Sequence, residues 1–281
     1  MTTIELSAGT IDYQDTGGPG PCLVFVHGLL MDGSLWDATV AELAADHRCV
    51  VPTLPLGAHR HPMHADTDLS LPGIAGLLAE FLDRLDLRDA TLVGNDTGGA
   101  IAPDGAARVG RVVLASCDAF DNFPPGLTGK TLALTGKLSP RLFGLFMQQL
   151  RLRMVRRLPI AFGWLTKRGD AATVRWLQPL LTQPEIRRDT VRMLRAAMAD
   201  RSLLLAAAER LSSFDRPTLV VWATEDKVMP PDHGRRLAAL LPQARFVEVD
   251  DSYTLIPLDR PAVLASVIGE FTRAAIGPPA P

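Results

Sequence analysis

Cysteine, tyrosine and tryptophan are scarce: 281 residues hold three, two and four of them. Cys22, Cys49 and Cys117 form an odd set without metal-ligand spacing, each in or beside an apolar run. Cys22 and Cys117 therefore read as core thiols in a reducing compartment. Charge of one sign is also lacking. The formal net charge is -2 and the pI is near 6.3, which gives no basic footprint for nucleic acid or an anionic membrane surface. No apolar run approaches the roughly 18 residues of a membrane span. The N-terminal MTTIELSAGTIDYQDTGG has neither a basic start nor an apolar signal stretch. These absences predict a cytoplasmic protein with a small-molecule partner and no cofactor, and they leave the oligomeric state open.

Apolar residues, by contrast, are abundant at 47% of the chain, enough for a large core. In the first half, short β-branched runs alternate with helical spacing. Residues 3–6, 10–14, 22–28 and 49–55 read as strands, and 36–45 and 71–85 read as helices. ATLVGN (90–95) and RVVLASC (111–117) are continuous apolar runs, the pattern of strands buried on both faces of a parallel sheet. Alternation of this kind predicts a doubly wound, mostly parallel α/β sheet. From 121 to 214 the strand signal stops and helical spacing takes over. RPTLVVWATED (216–226) and ARFVEVD (244–250) then resume the sheet. The expected organisation is a core of 1–120 and 215–281 around a helical cap of 121–214. The cluster Arg151, Arg153, Arg156 and Arg157 reads as a solvated helix face.

LVGNDTGGA (92–100) has the form strand, G-x-D-x-G, helix. It matches a nucleophile elbow with Asp96 in the raised position and the Thr97 N–H aimed at any oxyanion beside it. Together with VFVHGLLMDGSLW (24–36) and VVWATEDKVMPPDHGRRLAALLPQARFVEV (220–249), this motif resembles the α/β-hydrolase superfamily over nearly the whole chain. The aspartate points to its haloalkane dehalogenase and epoxide hydrolase branch. The resemblance implies an oxyanion hole from the Leu29 and Thr97 N–H groups. It also implies an orienting acid at Asp226 or Asp118, and a carboxylate that attacks carbon to give an ester later released by a histidine-activated water.

The resemblance also has gaps. Thr97 and Leu29 stand where dehalogenases of this branch carry halide-holding Trp and Asn, although Trp164 or Trp176 of the cap could supply an N–H. The two tyrosines, Tyr13 and Tyr253, lie outside the cap, where the epoxide hydrolases keep theirs. In VDDSYTLIPLDRP (249–261), Thr254 falls at the place of the family's histidine, and a threonine hydroxyl is no base near pH 7. His59, in the loop GAHRHPMHAD (57–66), is the candidate replacement. His27 reads as a structural histidine at the pocket edge, and His47 and His233 as surface residues. A zinc site from His59, His61 and His64 lacks supporting cysteines, so no metal is expected. Pro103 and Gly105 predict a short or bent helix after the elbow. Three functions remain open: a hydrolase of haloalkanes, epoxides or esters through Asp96; a lyase, cyclase or isomerase using Asp96 as acid or base; and a retired enzyme that binds a ligand.

Overall fold

The computed structural model describes residues 2–101, 108–199, 209 and 211–274. Its eight strands are β1 (Thr2–Leu6), β2 (Gly9–Asp15), β3 (Cys22–Val26), β4 (Arg48–Pro52), β5 (Ala90–Asp96), β6 (Val109–Cys117), β7 (Thr218–Ala223) and β8 (Ala244–Val249). They form one sheet in the order β1-β2-β4-β3-β5-β6-β7-β8. Only the β1–β2 and β2–β4 pairs are antiparallel. The rest of the sheet is parallel. Every residue of β5 and β7 is buried, as uninterrupted apolar runs with helices on both faces require. The architecture is that of an α/β-hydrolase fold.

Helices α1 (Asp37–Leu43) and α2 (Leu71–Arg84) belong to the first half. The start of α2 is fixed by Ser70, whose hydroxyl accepts from the Gly73 N–H, and by Pro72 in the first turn. The helix after β5, α3 (Thr97–Ile101), is five residues long as described. Pro103 and Gly105, on which the expectation of a short helix rested, lie outside the described residues.

Between β6 and β7 the described elements are helical: α4 (Gly126–Thr135), α5 (Pro140–Met147), α6 (Arg153–Arg156), α7 (Asp170–Thr182) and α8 (Pro184–Ala199). After β7 come α9 (Pro231–Leu240), α10 (Ile256–Asp259) and α11 (Pro261–Ala274). The insertion is tied back to the C-terminal loop by Asp259. Its carboxylate accepts from the Thr166 hydroxyl at 2.8 Å and from the N–H groups of Lys167, Arg168 and Tyr253 at 3.0 Å each. The Leu255 N–H also donates to the Leu165 carbonyl at 2.8 Å.

Three expectations about surfaces are corrected here. Arg156, read as part of a solvated helix face, is buried, its guanidinium donating to the Leu150 and Arg151 carbonyls at 3.0 and 2.8 Å and to Asp170 at 3.2 Å. His47 is buried, with its Nε2 2.8 Å from the Thr272 hydroxyl of α11. His233 packs edge-on against the buried Phe120 ring, 5.5 Å between centroids. No described helix is long and apolar enough to cross a membrane.

Candidate active site

β5 ends at Asp96, where the chain bends at once into α3. Asp96 itself carries the left-handed backbone, with φ of +56°, a conformation that costs an L-residue energy and is tolerated best by Asp, Asn and Gly. The neighbouring glycines serve another purpose, which is close approach. A Cβ on Gly94 would stand 2.6 Å from the Gly98 carbonyl oxygen, and one on Gly98 would stand 2.3 Å from the Val26 carbonyl oxygen. Gly28 closes the bend from the opposite side: a Cβ there would lie 2.6 Å from both Cβ and Oδ2 of Asp96.

The Asp96 carboxylate lies at the wall of a chamber of ≈ 200 Å³. Leu29, Leu30, Leu132, Phe146, Phe162 and Val228 contribute to its largely apolar lining. Among the described residues, Asp96 is the only ionisable side chain lining the chamber. Its Oδ1 accepts from the Thr97 N–H at 2.8 Å. The Thr97 hydroxyl donates to Asp118 Oδ2 at 2.8 Å and lies 3.4 Å from Asp96 Oδ1. Asp118 Oδ1 is buried without a hydrogen-bond partner.

Asp226 is the third buried carboxylate. Its Oδ1 collects three donors, the N–H groups of Val228 and Met229 at 2.9 and 2.8 Å and the Thr254 hydroxyl at 2.7 Å. Its Oδ2 has no partner. Thr254 is fully buried, and its carbonyl accepts from the Asn95 side chain at 2.8 Å, so the loop around 254 is pinned directly to the bend at Asp96.

Burial dominates the electrostatics. It pushes Asp118 up to about 7, against the lowering effect of the Thr97 hydroxyl. It pushes Asp226 up to about 6 against its hydrogen-bond donors. Asp96 is raised well above the usual carboxylate range by burial first and then by the charge of Asp118, with a further contribution from Asp226.

Asp96, Thr97, Asp118, Asp226, Thr254 and the chamber-lining Leu29 are therefore brought together. The other sequence candidates lie elsewhere. His59 is buried, but its Nε2 faces Asp189 of α8 at 3.8 Å and it does not line the chamber, so the expectation of a base at Asp96 is not met. His61 turns to Asp12 at 3.3 Å, and His64 sits 3.2 Å from the Ser7 carbonyl. The three histidines of this loop thus face three different partners. His27 is a structural residue: its Nε2 accepts from the Leu54 N–H at 3.0 Å, which leaves Nδ1–H to donate to the Gly28 carbonyl at 2.9 Å. Burial lowers its pKa and keeps it neutral.

Trp176 is fully buried with its Nε1–H donating to the Ser34 hydroxyl at 2.9 Å, and Trp164 packs against the core; neither lines the chamber. Phe120, Phe123 and Phe143 are buried, whereas Phe146 reaches the chamber wall. The sequence reading missed the wall contributed by α4 and the 158–162 turn. Thr128 joins these two segments by donating to the Pro159 and Ala161 carbonyls at 3.0 and 2.7 Å. Helical periodicity gave no signal for that contact.

Known proteins resemble this chain in sequence or in fold. A haloalkane dehalogenase of Mesorhizobium japonicum is 34% identical over 112 residues, 40% of this chain and 35% of that protein. A pimeloyl-[acyl-carrier protein] methyl ester esterase of Vibrio atlanticus is 28% identical over 240 residues, 82% of this chain and 86% of the esterase. The solved structure of a thermophilic esterase from Thermogutta terrifontis superposes with a TM-score of 0.70 over 98% of this chain and 99% of that one; at 21% identity the likeness is one of fold. Residues 23–267 match the sequence profile of the Alpha/beta hydrolase family, and the chain belongs to that family.

Proposed function

We propose that this α/β-hydrolase-family enzyme acts on a small, mainly apolar substrate through the Asp96 carboxyl. That carboxyl works as a proton donor and acceptor in an elimination, cyclisation or isomerisation that consumes no water. One observation carries the reading: the single ionisable group on the chamber wall among the described residues is a buried carboxyl whose pKa is raised first by burial and then by the charge of Asp118, with a smaller contribution from Asp226. Burial and the neighbouring carboxylates favour its protonated form, and a protonated carboxyl can deliver its proton to a substrate oxygen and recover it later. The Thr97 N–H holds Oδ1, so Oδ2 is the oxygen left to carry the proton. The Leu29 N–H is the proposed second donor to an oxygen that gains charge. The helical insertion serves as the cap that keeps the apolar substrate from water.

Thr254 supports the same reading. In the place of the family's histidine it donates to Asp226, and a hydroxyl held in this way cannot activate water. An ester formed on Asp96 would have no imidazole to release it.

A second reading keeps Asp96 as a nucleophile. It is favoured by the 2.8 Å Thr97 N–H contact, which would hold the carbonyl oxygen of an ester intermediate, and by the dehalogenase-like stretch. Turnover in ¹⁸O-labelled water separates the two. Screening would cover small lactones, enols, epoxides and haloalkanes. Proton transfer predicts a product and an Asp96 peptide free of label, with activity abolished in Asp96→Asn. Label in Asp96, or a stable mass increment there after exposure to a haloalkane or epoxide, rejects proton transfer in favour of the nucleophile.

A further inference from the structure

The charge of the chain is close to balanced overall but not along its length. Residues 122–169 contain nine lysines and arginines and no aspartate or glutamate. Four of these cations meet carboxylates from outside the segment: Arg153 and Arg156 pair with Asp170, Lys167 with Glu225 and Asp251, and Arg168 with Asp251. The other five, Lys130, Lys137, Arg141, Arg151 and Arg157, are exposed and make no ion pair among the described residues.

The same segment gathers exposed apolar side chains. Ten large hydrophobic residues are exposed among the described residues, and eight of them lie between 127 and 160. Met154 is 85% exposed, Leu145 68%, Leu134 67% and Leu152 64%. Scattered apolar residues on a surface are ordinary, but a concentration in one segment marks a contact surface. Leu158 and Ile160 are exposed and also line the chamber, so its mouth opens within this segment.

We propose that the outer surface of the 126–160 helices docks on an anionic lipid surface. Unpaired cations provide attraction to lipid phosphates, and the exposed leucines and Met154 insert among the acyl chains. Charge complementarity selects this occupant over a second copy of the chain, because two such faces would bring five uncompensated cations against five. Docking places the chamber mouth at the membrane, where an apolar substrate partitions. The docking itself does not depend on which chemistry Asp96 performs.

Vesicle flotation of the full chain provides the test. The protein should rise with vesicles of phosphatidylglycerol and phosphatidylcholine, stay behind with phosphatidylcholine alone, and dissociate at high salt. Each cation near the surface strengthens binding roughly fivefold. Arg141→Glu combined with Arg151→Glu should therefore weaken vesicle binding at least about tenfold, and Leu152→Asp with Met154→Asp should do the same. None of these four residues lines the chamber, so activity on a water-soluble substrate should be unchanged.

The proposal is overturned if the wild-type chain floats with neither vesicle, if it binds both equally regardless of salt, or if both double variants bind as before. A concentration-dependent dimer that the Leu152 and Met154 changes abolish, with no vesicle binding, would assign the face to a second copy instead. The wild-type salt and lipid comparison decides the matter even if a variant fails to fold.

Discussion

Gly28 and Thr254 act on carboxylates they do not resemble. Gly28 matters because it has no side chain. In Gly28→Ala the new methyl would overlap the Asp96 carboxylate, so turnover should fall by at least about tenfold while the thermal midpoint shifts little, since a displacement of about 1 Å at a reacting group can cost roughly 100-fold. Steady-state kinetics beside a melting curve would check this. Thr254→Val keeps the shape and removes one of three donors to Asp226 Oδ1. It should cost about 1–3 kcal/mol in a denaturant titration, the cost of weakening a buried acceptor's hydrogen bonding. At this scale the sequence was informative where the signal was local. The bend at Asp96 is written in five consecutive residues, and the 251–257 stretch singled out Thr254, which the structure places against Asp226. His59 could not be read in this way, because its neighbour Asp189 is 130 positions away on α8 and loop sequence does not encode such a contact.

Among the elements, the most consequential junction joins the insertion to the sheet through Asp259. Four donors converge on its carboxylate. Asp259→Ala would leave the N–H groups of Lys167, Arg168 and Tyr253 without their acceptor, a loss of about 2–4 kcal/mol for a network bonded to a charged group. Limited proteolysis should then cut the 166–169 turn faster, whereas cleavage in the outer strands should change little. Strands β3 to β7 were legible because buried parallel strands carry continuous apolar runs, edge strand β8 by its β-branched and aromatic residues alternating with Arg245 and Glu248, and the mostly helical character of the insertion followed from its spacing. How the insertion's helices pack was not legible, since periodicity marks an apolar stripe without naming its partner. Its turn at 158–162 became a chamber wall, Trp176 turned to Ser34, and His47, set in a polar-looking stretch, was buried against α11.

For the molecule as a whole, the buried acids give stability a direction in pH. Asp118 and Asp226 have folded pKa values raised to about 7 and about 6. In the unfolded chain they release protons near pH 4. The folded state therefore holds more protons over this interval, and its stability declines as pH rises from about 4 to about 7. The denaturant midpoint should be higher at pH 5 than at pH 8. Asp118→Asn should flatten that slope and add on the order of 1–3 kcal/mol at pH 8, because a neutral amide avoids the burial of charge.

The left-handed bend at residue 96 extends the same logic. Asp96→Gly would relax a backbone strain of about 1 kcal/mol and remove one of three crowded carboxyls, so the variant should melt later than the parent while being inert. A population of variants screened for heat resistance alone would drift towards glycine at this position. With Asp96 in the proposed role, thermal endurance and turnover are opposed at that residue, and hardening this scaffold calls for selection on both together.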